Sequence, residues 1–383
     1  MAHAVSIAAL AALLLCLVLA VGCSGSSTPS EPALPSIKEG TLLSPSGEPL
    51  SSKDFLERAR GAEYILIGET HDNPCDHRVQ ARLIRWLADN GTSAVVGLEM
   101  VPAAAQNHLD RFNSGEMELE RLPEALGWKE TWGHPFSLYR PAFRAARQAG
   151  YPVYGLNISA EALEAIRGKG RDELDGHKRP RQFIPPSPEE KEVLGRAYER
   201  HEQLPGLTNG TELDRERFFL IQAVWDSTMA AEARRIRSRT GHRVIILTGQ
   251  GHMAHGRGIP RRLRTLDPSA DILTVSAWRG LDQPEPEQSD LLFHCPVTFE
   301  SRLGFSLELT PGGGLITAVE SESRAAEAGM RPGDLLLEAG GEPFRELMDL
   351  HRAAMRAREG NDPLVLRIDR DGSRKRLQLD IAP

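Results

Sequence analysis

The sequence predicts an α/β domain with a mostly parallel sheet and helices on both faces, followed by a small β-rich domain. Three observations carry this. From about Ala62 onward, short apolar runs alternate with helical stretches, as in repeated strand–helix–strand units. From Arg302 the pattern changes to short strands and turns. The length of 383 residues also exceeds what one hydrophobic core usually organises. With 40% hydrophobic and 26% charged residues the composition is that of a globular protein. A net charge of −7, from 46 basic against 53 acidic side chains, argues against a broadly electropositive nucleic-acid binder.

The amino terminus differs from the rest. From Ala4 to Val21 it is almost wholly apolar and ends Leu19-Ala20-Val21-Gly22-Cys23. An apolar core followed by small residues reads as a secretory signal over residues 1–22. Small residues directly before a cysteine resemble the lipobox of bacterial lipoproteins. That resemblance implies that Cys23 is acylated, becomes the mature terminus and holds the protein at a membrane. Ser24 behind it implies the outer membrane, facing the periplasm. The alternative is an uncleaved anchor, since roughly 18 apolar residues nearly span a bilayer. Both readings place the rest of the chain outside the cytoplasm, in the cell envelope. Residues 23–45, rich at first in Ser, Pro and Gly, are expected as a flexible tether. Of four cysteines, Cys75 and Cys295 remain for the folded part, and an oxidising compartment permits a disulfide without demonstrating one.

The expected first domain spans 46–298 and the second 299–383. Strands are expected at 64–68, 93–98, 153–156, 243–247 and 272–275, with a further one within 291–297. Proline favours a first helical turn, so helices are expected from Pro74 and Pro102. Another should start at Thr211 and Asp214, with Phe218, Ile221, Val224, Trp225 and Thr228 on its apolar face. The charged, weakly periodic span 166–207 reads as an inserted helical cap or a mobile region.

Four expected strands end in polar groups. They run into Gly68-Glu69-Thr70-His71-Asp72-Asn73, Leu98-Glu99-Met100, Leu156-Asn157 and Thr248-Gly249-Gln250-Gly251-His252. In an open parallel sheet the carboxyl ends share one edge, where ligands bind. Glu69, His71, Glu99, Asn157 and His252 are therefore expected to converge. Imidazoles and carboxylates can ligate a divalent transition metal, an imidazole can hold haem iron, and a carboxylate beside a histidine can act as a general base. Spacing does not choose among these. The helix starts at Pro74 and Pro102 would favour an anionic ligand group at that edge, and Gly249 and Gly251 would admit a close approach. On the expected helix, Met229 is read as core and Asp226 as a structural hydrogen-bonding residue.

These motifs, with Asp226-Ser227-Thr228-Met229-Ala230, resemble in order the ChaN-like haem-binding lipoproteins, over roughly residues 61–297. That family sits in a superfamily with erythromycin esterases and Tiki/TraB proteins. The resemblance implies haem binding and a part in iron uptake, with haem that could be shared in a homodimer. It carries over Glu69, His71, Glu99 and His252 as the shared site, for haem, for metal or for hydrolysis. His71, His252, His255 and Tyr139 are the candidate axial ligands, with Asn157 nearby.

Beyond it, Arg302-Leu303-Gly304-Phe305, Ala325-Ala326-Glu327-Ala328-Gly329-Met330 and Arg331-Pro332-Gly333-Asp334 resemble PDZ domains of the bacterial type. The implied function is β-augmentation: a peptide or protein C-terminus pairs beside Phe305 while amides of Leu303, Gly304 and Phe305 receive its carboxylate. The sequence thus leaves three readings: a haem-binding protein docked by its PDZ domain, a hydrolase, or a scaffold.

Overall fold

The structure, a computed structural model, describes residues 37–169, 182–202 and 212–380. The signal segment, Cys23, most of the expected tether and Thr211 lie outside the described residues. Among the described residues no helix is long and apolar enough to cross a membrane.

The first domain is built on one sheet. Its strands are β1 (Leu42–Leu43), β2 (Pro49–Leu50), β3 (Tyr64–Glu69), β4 (Ala94–Pro102), β5 (Val153–Asn157), β6 (Arg243–Gly249), β7 (Ile272–Trp278) and β8 (Leu291–His294). They lie in the order β2-β1-β8-β7-β3-β6-β4-β5, with β3 to β8 mutually parallel and β1 and β2 antiparallel at one edge. Around it run α1 (Ser52–Ala59), α2 (Pro74–Asp89), α3 (Gln106–Asn113), α4 (Leu122–Ala125), α5 (Trp128–Thr131), α6 (Phe136–Ala149), α7 (Ala160–Lys169), α8 (Pro188–Glu202), α9 (Glu212–Thr240) and α10 (Gly258–Leu266).

Both faces of the sheet are covered, so its central strands are apolar throughout rather than alternating. In β3, Ile65 and Ile67 pack in one core with Phe55, Leu83, Ile84 and Phe143. Tyr64 and Leu66 pack on the other side with Met229, Ala233, Ile259 and Leu263. A strand buried on both faces leaves polar residues only at its end, which is where Glu69 stands.

Several expectations change in detail. The tether ends before residue 45, because Leu42 and Leu43 are buried in β1 and pair with β8. The helix expected from Pro102 does not begin there. Apolar Met100 and Val101 carry β4 on to Pro102, a 3-10 turn follows at Ala103–Ala105, and α3 starts at Gln106. The helix from Pro74 is as expected, with Asn73 as its cap. In α9 Phe219, Ala223, Val224, Asp226, Ser227, Met229, Ala230, Ala233 and Ile236 are buried, while Phe218, Ile221, Trp225 and Thr228 are only half-buried. The helix is packed on more than one side, and this blurs a single apolar stripe.

The second domain is an antiparallel sheet of β9 (Thr298–Ser301), β10 (Phe305–Thr310), β11 (Gly313–Val319), β12 (Leu335–Ala339), β13 (Glu342–Pro343), β14 (Leu364–Arg370) and β15 (Ser373–Leu379), ordered β15-β14-β12-β11-β10-β9 with β13 on β12. Helices α11 (Arg324–Glu327) and α12 (Leu347–Gly360) close it over Phe305, Leu307, Ile316, Leu336, Leu366 and Ile368. Asp334 is buried and holds Arg370 at 2.6 and 2.7 Å.

Candidate functional site at the carboxyl edge of the sheet

Glu69 ends β3 almost wholly enclosed. Its Oε1 accepts from His71 Nδ1 at 2.8 Å and from the Tyr139 hydroxyl at 3.0 Å, and its Oε2 lies 2.8 Å from His77 Nδ1. His77 sits in the first turn of α2, where the Asn73 cap turns the chain inward; its Nε2 donates to the His71 carbonyl at 3.2 Å. Burial works against the charge of this carboxylate, but the bonds from His71 and His77 prevail and hold Glu69 below its ordinary range. Burial likewise opposes the charge of the two histidines, yet Glu69 raises both above the usual histidine value. The group is two imidazoles clamped on one carboxylate.

A second group stands beside it. His252 Nδ1 donates to Asp226 Oδ1 at 2.6 Å, and its Nε2 lies 3.3 Å from Glu99 Oε1. Glu99 Oε2 accepts from the Thr248 hydroxyl and the Gly249 amide, each at 2.7 Å. Burial pushes the Glu99 carboxyl up, but His252 dominates and brings it down to about 2. His252, between two carboxylates, is raised well above the usual value despite its burial. The two groups meet over Gly249. A side chain there would put its Cβ 2.9 Å from His71 Cε1 and 3.7 Å from Glu99 Oε2, so only glycine leaves room for both.

Of all these, His71 is the open one. Its side chain is 31% exposed, with Nδ1 committed to Glu69. Trp132 packs edge-on to its ring at 4.8 Å between centroids and His134 lies at 5.2 Å. Burial, aided by the charge of His71, lowers the His134 value and favours its neutral form. Beyond His134 a shallow pocket of about 600 Å³ continues along Trp128, Pro135 and Phe136.

The structure therefore brings Glu69, His71, Glu99 and His252 together, as expected. It gives other roles to the remaining candidates. Tyr139 is buried, accepts from Trp132 Nε1 at 2.9 Å and donates to Glu69; burial and that carboxylate raise its pKa, which opposes a phenolate ligand. Asn157 donates to the Glu99 carbonyl at 3.0 Å and accepts from the Ile158 amide at 2.8 Å, tying β5 to β4. His255 turns to Glu285 at 3.3 Å. The expected anion site at the start of α2 is filled from within: Asn73 caps Cys75, and Asp76 takes Arg279 at 2.6 and 2.8 Å and the Thr70 amide at 2.8 Å. Cys75 and Cys295 form a disulfide.

A divalent metal does not fit the four expected ligands. The carboxylate oxygens of Glu69 and Glu99 face imidazole nitrogens, amides and hydroxyls, so they do not converge on a free point. Among the described residues, only Cys75, Asp76 and Cys295 bring three ligand atoms within 4.8 Å, and there the sulfurs are bonded to each other. A haem fits better. Its iron needs one accessible imidazole nitrogen, and its macrocycle needs an aromatic wall.

Sequence reasoning missed His77, Trp132, His134 and a supporting network. Arg262, fully buried, donates to Ser227 Oγ and Glu190 Oε1, each at 3.1 Å, and lies 3.4 Å from Asp226. Glu190 of α8 also accepts from the Gly258 amide at 2.8 Å. The one signal for His77 is its place one turn into the helix expected from Pro74, which does not say which way it faces; the run Trp132-Gly133-His134 carried no periodic signal.

In the second domain, Gly304 has φ +83° and a Cβ there would collide with Ser323, so the loop needs glycine. Its amide donates to the Ser301 carbonyl at 3.0 Å, and that of Leu303 to Ser301 Oγ at 3.1 Å. The expected carboxylate receptors are thus already bonded within the chain.

Such a parallel sheet with a histidine–carboxylate edge matches a known class. The family described as haem-binding uptake, Tiki superfamily, ChaN matches residues 55–263, and a PDZ domain matches residues 301–381. The first match spans more than half of the chain, which belongs to that family. Comparison with curated proteins returns no match. Among solved structures the chain is similar to ChaN of Campylobacter jejuni, described with cofacially bound haem. Identity is 22%, over 67% of this chain and 96% of that one, with a TM-score of 0.54, a likeness of fold. An erythromycin esterase mutant in its open conformation is 14% identical over 78% of this chain and 90% of its own, at a TM-score of 0.37. The HtrA3 PDZ domain bound to a phage-derived ligand is 18% identical over 22% of this chain and 88% of its own, at 0.18.

Proposed function

We propose that this protein is an envelope lipoprotein, acylated at Cys23 and facing the periplasm at the outer membrane, whose first domain binds haem for iron acquisition or haem handling. Its PDZ domain then docks a peptide or protein partner. The observation that carries the haem reading is the state of His71. Its Nδ1 is fixed by buried Glu69, while the ring stays part-exposed between Trp132, His134 and Gly249. A carboxylate on one imidazole nitrogen orients the ring and strengthens the other as a ligand. His71 would hold the iron, Trp132 and His134 would flank the macrocycle, and Tyr139 and His77 would keep Glu69 in place. Bound haem would supply iron to be carried or released; the chain's own groups bind and orient it. Sharing of haem in a homodimer fits an open site of this kind.

Hydrolysis is the second reading, favoured by His252, whose pKa Glu99 and Asp226 raise, standing beside His71. It is the weaker one, because a Glu99 carboxyl held at about 2 is a poor base near neutrality.

Haem titration of the protein lacking residues 1–23, followed by its Soret band, tests the first reading. Saturable binding is expected, with His71→Ala weakening it at least tenfold or shifting the band. Absence of saturable binding, or binding indifferent to His71→Ala, would overturn it. Sedimentation of the haem-loaded protein reads the dimer.

A further inference from the structure

The PDZ reading needs β10 to offer a free edge, and here it has none. One edge pairs with β11, the other with β9, antiparallel, in the register Phe305↔Ser301, Ser306↔Glu300, Leu307↔Phe299 and Glu308↔Thr298. The Leu309 amide extends the ladder, donating to the Val297 carbonyl at 2.8 Å. By the alternation of antiparallel pairs, the amides of Phe305 and Leu307 point the same way. Residues 297–301 run towards the carboxylate loop in the direction a bound C-terminal peptide would take, and Ser301 occupies the Leu303 and Gly304 amides. Val297 and Phe299 pack against the domain core, whereas Thr298 and Glu300 are exposed.

We infer that residues 297–301 are a built-in ligand strapped across the peptide groove, and that an external partner binds by displacing them. This rests on the reading of the domain as a peptide binder. The strap also states what the groove accepts: an extended segment with apolar side chains two residues apart, as Val297 and Phe299 are. Both ends of the strap are held. Ahead of it, Cys295 is bonded to Cys75 and the Pro296 carbonyl accepts from Asn73 Nδ2 at 2.8 Å. Behind it, the turn into Phe305 is three residues long. A segment tethered so closely competes at an effective concentration of about millimolar or more.

Phe299→Pro removes one ladder amide and the half-buried ring without touching β10 to β15, and Phe299→Ala is the milder variant. Hydrogen exchange across residues 305–309 reads the strap directly. Binding of a labelled Pro-Val-Thr-Phe-Glu-Ser peptide, copied from residues 296–301, reads the groove. In the unaltered protein the amides of β10 should exchange slowly and the peptide should bind weakly. In the variants those amides should exchange at least tenfold faster, with those of β12 and β14 still protected, and the peptide should bind at least tenfold tighter. Unchanged exchange in both variants would sink the strap. Faster exchange without tighter peptide binding would sink the claim that the strap stands in for a ligand.

Discussion

Replacing Glu99 by Gln isolates the electrostatics of the second group. The substitution keeps the shape and leaves an oxygen for Thr248 or Gly249, but removes the charge facing His252. In the folded protein the carboxyl is lowered from 4.5 to about 2. At about 1.4 kcal/mol per pKa unit, the ionised form stabilises the fold by roughly 3 kcal/mol. A domain of this size should then melt about 6–12 °C lower. All five tryptophans lie before residue 280, so their fluorescence follows the first domain alone. The sign follows from the direction of the shift. A lowered carboxyl stabilises fully above about 4.5 and loses this as pH falls towards about 2, so variant and parent should converge in acid. His252 is shifted the other way, so its share is complete below its ordinary value and fades as pH rises through the raised one. Its proton resonance should titrate lower in the variant. Equal melting at pH 7, or a gap as wide at pH 3 as at pH 7, would refute this account.

Two further outcomes concern the frame. Gly249→Ala would press a methyl group on the His71 ring at 2.9 Å, so haem affinity should fall with little loss of helicity by circular dichroism; unaltered binding would show that His71 is not held there. Cys295→Ser opens a link between residues 220 apart in sequence and should cost about 2–5 kcal/mol in chemical denaturation. Reduced parent protein should match it.

Much of this was legible because parallel strands buried on both faces announce themselves as apolar runs, and their polar ends then stand out: Glu69, Glu99 and His252 were found that way. Asp226 was anticipated as a hydrogen-bonding residue, but not that its partner is His252, since no spacing relates a mid-helix carboxylate to a distant strand end. His77, Trp132 and His134 lie on a helix and a loop, whose orientation is set by packing. Pro102 misled because proline suits a strand end as well as a helix start, and Val101 and Met100 favoured the strand. Residues 298–301, too short to read as a strand, gain that conformation only from β10.

The pairing of β1 with β8 has a mechanical consequence. Leu42 faces Phe293 and Gly40 donates to His294, so the chain enters and leaves the first domain at the same end of one antiparallel pair. A pull on the amino-terminal segment therefore peels β1 away one bond at a time, a geometry that yields under small loads. The crosslink at Cys295 keeps the exit side fixed meanwhile. Residues 37–50 could pay out about 45 Å of extended chain in this way before any strand beneath the histidine cluster bears tension.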